Sequence, residues 1–175
     1  MTTTDARTAE EAVIVPDFGD DEATDRKICF ICSKGTLDMA YPALIMANGA
    51  LAEGVETHIF FTFWGLDMIT KKNMDHLKFT PVGNTATHMP QALGPMPGMT
   101  TMATRMMKKQ IADLDVPEIP EFLEMLTDMG ANLWACRMSV DMMDLDREDL
   151  FDGVIDIINV SEFIELSEGA QIVFV

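Results

Sequence analysis

Five short apolar runs punctuate this chain, and their spacing constrains its fold more than any other feature: KICFIC at 27–32, VETHIFFTFW at 55–64, ANLWAC at 131–136, DGVIDII at 152–158 and QIVFV at 171–175. They are rich in β-branched and aromatic residues, and apolar at successive positions more than at alternate ones. That is the profile of strands buried on both faces. The segments between them carry helical patterns, and strands that alternate with helices imply an α/β fold with one parallel sheet between helical layers.

The first intervening segment reads as a helix starting at Asp38 to Pro42, where proline is tolerated in a first turn, and ending at Gly54, with Leu44, Ala47 and Leu51 on one face. Gly65 opens a short helical stretch to about Lys72. Residues 73–98 hold too many prolines and glycines for regular structure, and a loop of that length is usually functional or partner-facing. Met99, Met102, Ala103, Met106 and Gln110 mark a helix over 99–113, and Ile119, Phe122, Leu123, Leu126 and Met129 mark another, closed by Gly130. MSVDMM is a short helix, and SEFIELSEG is one with Ser161 as its N-cap. With a strand order of 2-1-3-4-5, ligands would bind at the carboxyl ends of strands one and three, where Cys32 and Cys136 stand.

With 175 residues and 48% apolar content the chain is sized for one domain with a full core. A formal charge of -17 sets its surface against nucleic acid and anionic membrane. Residues 1–25 carry eight acids against Arg7 alone and lack periodicity, so they read as a disordered acidic tail preceding a single domain at 26–175. The acidity continues into that domain, which fits either a high-salt cytoplasm or plain solubility. There is no basic-then-apolar leader and no apolar window of the roughly 18 residues a membrane helix needs. Three cysteines form neither a disulfide framework nor a four-ligand zinc set. The expectation is a cytoplasmic protein with free thiols.

Cys136 stands where the third strand meets the next helix. Unpaired N–H groups at such a start favour a thiolate, Arg137 would add positive potential, and Ser139 is placed to cap the helix or to donate to a sulfur anion. Asp141 opposes ionisation if it points inward. The competing reading is a small core filler, since free cysteine is among the most buried residues. Cys29 and Cys32 have C-x-x-C spacing, but inside a strand their odd separation sends them to opposite faces. Cys32, at the strand tip beside Ser33, is either filler or a resolving or accessory thiol, and the Lys34–Gly35 turn would suit a small sulfur oxyanion. Trp64 would wall the site from the end of the second strand. His58, His76 and His88 make no triad, and His58 reads as structural. Sixteen methionines raise copper(I) binding, although their helical spacing fits packing. No G-x-G-x-x-G or P-loop is present, and neither metal nor nucleotide cofactor is expected.

Three motifs in this order, FFTFWGL, LGPMPGMTTMATRMMKKQI and ACRMSVDMM, resemble the DsrE/DsrF-like sulfurtransferase family, in its larger branch often labelled peroxiredoxin-like. The resemblance covers residues 27–175. No thioredoxin-type peroxidatic motif accompanies it. It implies a three-layer α/β/α fold of DsrE-like, flavodoxin-like topology and assembly into homo-oligomers. It also implies a cysteine, here Cys136, that carries sulfane sulfur as a persulfide or S-thiosulfonate. The donor would be a small sulfur-containing anion (thiosulfate, polysulfide or persulfide), and the acceptor a partner thiol on a sulfur-relay protein. The competing functions are an oligomeric scaffold that docks a partner through the Met-rich loop, and a redox or copper(I) module marked by a Cys32–Cys136 disulfide.

Overall fold

The computed structural model describes residues 25–82, 84 and 96–175. The acidic tail up to residue 24, and residues 83 and 85–95 of the 73–98 loop, with His88, lie outside the described residues. One five-stranded sheet forms from β1 (Lys27–Cys32), β2 (Glu56–Phe61), β3 (Asn132–Cys136), β4 (Val154–Ile158) and β5 (Gln171–Phe174). All its pairings are parallel. The helices are α1 (Leu37–Ala52), α2 (Met99–Ala112), α3 (Ile119–Asp128), α4 (Arg137–Met142) and α5 (Val160–Leu166), and 3-10 turns occupy Phe63–Met68 and Met74–His76.

The strand order is β4-β3-β2-β1-β5, not 2-1-3-4-5. From β1 the chain steps in one direction to β4 and then returns across the sheet to place β5 against the free side of β1. Right-handed crossovers put the helices of the outward steps on one face and the helix of the return on the other. Accordingly α1, α3 and Val140 of α4 pack on the face bearing Phe30, Cys32, Ile59, Phe61, Leu133 and Ala135. The opposite face is covered by α5, whose Phe163 stacks on Phe60 with ring centroids 4.4 Å apart.

Two helix starts differ from expectation. α1 begins at Leu37, so Pro42 lies inside it rather than in the first turn; its missing N–H leaves the Asp38 carbonyl without the usual helical donor. The N-cap of α5 is Asn159 and not Ser161. Asn159 Oδ1 accepts from the amides of Ser161 (2.8 Å) and Glu162 (3.1 Å), and Glu162 Oε2 accepts from the Asn159 amide at 2.6 Å. The reciprocal box satisfies donors that Ser161, two residues further in, would have left open.

Candidate functional site

Parity along the strands decides which side of the sheet each thiol faces. Trp134 and Cys136 of β3 share a face with Phe60 of β2, and Cys136 packs in a small cluster with Cys29, Phe60, Ile158 and Phe163. Phe61 pairs with Ala135 and Cys136 with Ile158. One step beyond the first of these pairs, Thr62 stands beside Cys136 on the β2 side. The sulfur therefore has a hydroxyl residue on the β2 side and Ile158 on the β4 side, with Phe60 and Phe163 packed in the same cluster.

Cys136 is also the N-cap residue of α4. Burial pushes its thiol up, but the hydroxyls of Thr62 and Ser139 and the amides of Ser139 and Met138 all favour the thiolate, and together they bring the pKa below the ordinary value of 9.0. The amides face the sulfur without making a close N-cap hydrogen bond to it. Ser139 is wholly buried. Its Oγ accepts from the Phe63 amide at 2.8 Å and lies 3.2 Å from Thr62 Oγ1. Phe63 reaches that position with φ at 45°, a left-handed conformation that costs about 1 to 2 kcal/mol for a residue with a Cβ. Cys136 itself is 2% exposed. Its chain neighbours Arg137 and Met138 are exposed, so the thiol lies just below the surface.

Cys32 is held quite differently. It belongs to the larger core on the other face, and burial pushes its thiol up to about 12. Between β1 and β3 lies β2, so the two cysteines stand roughly 10 Å apart across the sheet as well as on opposite sides of it. A Cys32–Cys136 disulfide needs Cα atoms within about 7 Å, and this arrangement rules it out.

A family model described as the DsrE/DsrF/DrsH-like family matches residues 24–175. The chain belongs to that family. It is 37% identical over 137 residues to the sulfur carrier protein DsrE2 of Allochromatium vinosum, which covers 74% of this chain and 85% of that one. It is 28% identical over 157 residues to the uncharacterized protein YrkE of Bacillus subtilis, covering 86% and 97%. The fold matches the protein of unknown function MTH1491 from Methanobacterium thermoautotrophicum with a TM-score of 0.55 at 13% identity, over 86% of this chain and 100% of that one.

In this DsrE/DsrF/DrsH-like chain, the residues singled out in the sequence fall into two groups. Ser139 joins Cys136. Arg137 does not, because its guanidinium turns to the Ile157 carbonyl at 2.5 Å, and hydrogen-bond donors rather than a neighbouring cation lower the thiol pKa. Asp141 is exposed and plays no part in that shift. Cys32, Ser33 and Gly35 gather at the tip of β1, away from Cys136. Ser33 donates from both its amide and its Oγ to the Val175 carbonyl, and Lys34 is exposed. Gly35 is packed against the Trp64 carbonyl, closely enough that no Cβ would fit, while the Trp64 side chain is 64% exposed. A cavity of about 510 Å³ opens on this side, lined by Gly35, Thr36, His76 and Lys78 among others, and Cys136 does not reach it.

His58 is structural. Its Nε2–H donates to Glu56 at 2.8 Å, and its Nδ1 accepts from Trp134 Nε1–H at 3.1 Å. Among the described residues no three His, Cys, Asp or Glu side chains group as a metal site, and no helix is long and apolar enough to cross a membrane. The sequence reading missed Thr62, which reaches Cys136 only through the β2–β3 register, and the backbone of Phe63.

Proposed function

We propose that this protein is a sulfur carrier centred on Cys136. The observation that carries the reading is the contrast between its thiols: burial pushes Cys29 and Cys32 up to about 11 and about 12, while hydrogen-bond donors bring Cys136 below 9.0. A thiolate is the nucleophile in sulfur exchange. The 37% identity to a sulfur carrier protein supports the same reading. The Cys136 thiolate attacks the outer sulfur of a donor. A new S–S bond forms on Cys136, the donor's S–S bond breaks, and the donor's remaining half leaves with the electron pair, as a thiolate from a persulfide or as sulfite from thiosulfate. An S-thiosulfonate on Cys136 instead requires an oxidised donor from which thiosulfate leaves. An acceptor thiolate then attacks the outer sulfur of the Cys136 persulfide, takes it, and returns Cys136 as a thiolate. The homo-oligomer, the relay partner and the cytoplasmic setting belong to this proposal. So do the accessory roles first given to Cys32, Ser33, Lys34, Gly35, Trp64 and Arg137, which the geometry supports least.

Incubation of the protein and a Cys136→Ser variant with thiosulfate and, separately, with polysulfide tests the reading by intact mass without reductant. A reducible gain of sulfur on the native chain alone is expected. A gain of equal size on the variant would defeat it.

The 2% exposure of Cys136 favours a second reading, a non-catalytic scaffold that keeps the fold. Under that reading Cys136 resists alkylation in the folded protein. Under the carrier reading it is the cysteine that reacts first.

A further inference from the structure

Three groups converge beside Cys136 without being explained by packing: the Ser139 hydroxyl, the Thr62 hydroxyl and the Phe63 amide. Ser139 has no exposed surface, and its hydroxyl is not spent on its own helix backbone, the usual outlet for a buried helical serine. Instead its Oγ accepts from the Phe63 amide at 2.8 Å and meets Thr62 Oγ1 at 3.2 Å. Phe63 holds a left-handed φ of 45° in making that contact, and strain of this kind gathers where geometry has a task. Thr62 follows Phe61, which pairs with Ala135, and so comes level with Cys136 one step beyond the last β2–β3 pair.

We propose that Phe63 N–H, Ser139 Oγ–H and Thr62 Oγ1–H form a single hydrogen-bonded chain that ends on the Cys136 sulfur, which makes Ser139 and Thr62 positioning residues for the reactive thiol. Ser139 Oγ also neighbours the sulfur, but it has one proton; with the Phe63 amide filling one of its lone pairs, that proton is directed to Thr62 in place of the sulfur, and the threonine proton to sulfur. Each link polarises the next, so the last donor is stronger than an isolated hydroxyl. The chain moves no proton to or from the sulfur. It sets which form of the sulfur the pocket prefers, and it holds an anionic sulfur on the side of the pocket opposite Ile158. This deepens the carrier reading and rests on Cys136 being the working thiol.

The test is the pH profile of Cys136 alkylation by iodoacetamide, followed by peptide mass on the folded full chain, for Thr62→Val, Ser139→Ala and the double variant. Each single variant is expected to raise the midpoint by about 1 to 2 pH units, the effect of losing one hydrogen bond to a charged group. The double variant is expected to raise it by clearly less than the sum, because either change breaks the same chain. Thr62→Ser keeps the hydroxyl and is expected to restore the native midpoint. Unmoved midpoints in both single variants, or shifts that add fully in the double, would overturn the chain. The readout does not require sulfur uptake, so the chain and the carrier reading fail separately: a flat profile with normal uptake removes the chain alone, and a shifted profile with no uptake removes the carrier reading alone.

Discussion

Gly65→Ala probes the packing that holds the site together. A Cβ at Gly65 would overlap the Cys32 carbonyl oxygen and come within 2.7 Å of its carbonyl carbon and 3.3 Å of the Ser33 nitrogen. Carbon atoms in contact sit near 3.5 to 4.0 Å, so the second of these is short by about 1 Å. All three atoms are backbone, and no rotamer relieves them. The turn that begins at Thr62 must therefore move off the tip of β1 by about that distance, which costs about 1 to 3 kcal/mol as overpacking. The same carbonyl accepts the Thr62 amide at 2.9 Å, and losing that bond adds about 1 kcal/mol. A loss of about 3 kcal/mol lowers the melting temperature of a domain this size by about 6 to 12 °C. Calorimetry and urea unfolding read the loss. The control is Gly49→Ala, where a Cβ meets nothing within 4 Å, and which is expected to stabilise α1 by about 0.5 to 1 kcal/mol. A Gly65→Ala protein that melts within about 2 °C of the native one would refute the argument.

Other expectations follow from the same contacts. Asn159→Ala removes the capping box of α5 and is expected to cost about 1 kcal/mol in urea unfolding; no change would mean the box is spectator geometry. Phe163→Ala removes the ring stacked 4.4 Å from Phe60, beneath Cys136. It is expected to destabilise by about 3 kcal/mol and to speed Cys136 alkylation, whereas an unchanged rate would show that α5 does not shield the thiol. Burial raises Cys32 to about 12 and Cys29 to about 11 from 9.0. Below pH 9 these thiols are protonated in both states and their stabilising contribution is complete. Between pH 9 and about 12 the unfolded chain ionises first, so stability is lost as pH rises. Urea midpoints at pH 8, 9 and 10 should fall, and should fall less steeply in Cys32→Ala; equal slopes would count against the assignment.

The five strands were legible because short apolar runs bounded by turn residues have few other uses in a chain of this length. Strand order was not. Strands buried on both faces carry similar apolar faces, and nothing in KICFIC or NLWAC names its neighbour; the order follows from which face each crossover covers. That loss mattered at the site, because it hid β2 between Cys32 and Cys136 and so left a disulfide open that the sheet forbids. Ser139 was legible from its place in the first turn after Cys136. Thr62 lies 74 positions away in the chain and enters only through register. Arg137 looked electrostatic in sequence, but its long side chain found a carbonyl on β4 instead. At α5, Asn159 and Glu162 spell a capping box that outcompetes Ser161, and that signal was present in the residues themselves.

The most direct measurement of the central claim is to load the native protein with polysulfide, block it with iodoacetamide, digest without reductant and find the cysteine peptide that carries the extra sulfur. The account predicts the added sulfur on the Cys136 peptide, with the Cys29 and Cys32 peptide unmodified. Sulfur on the Cys29 and Cys32 peptide, or on none while Cys136 is freely alkylated, would contradict it.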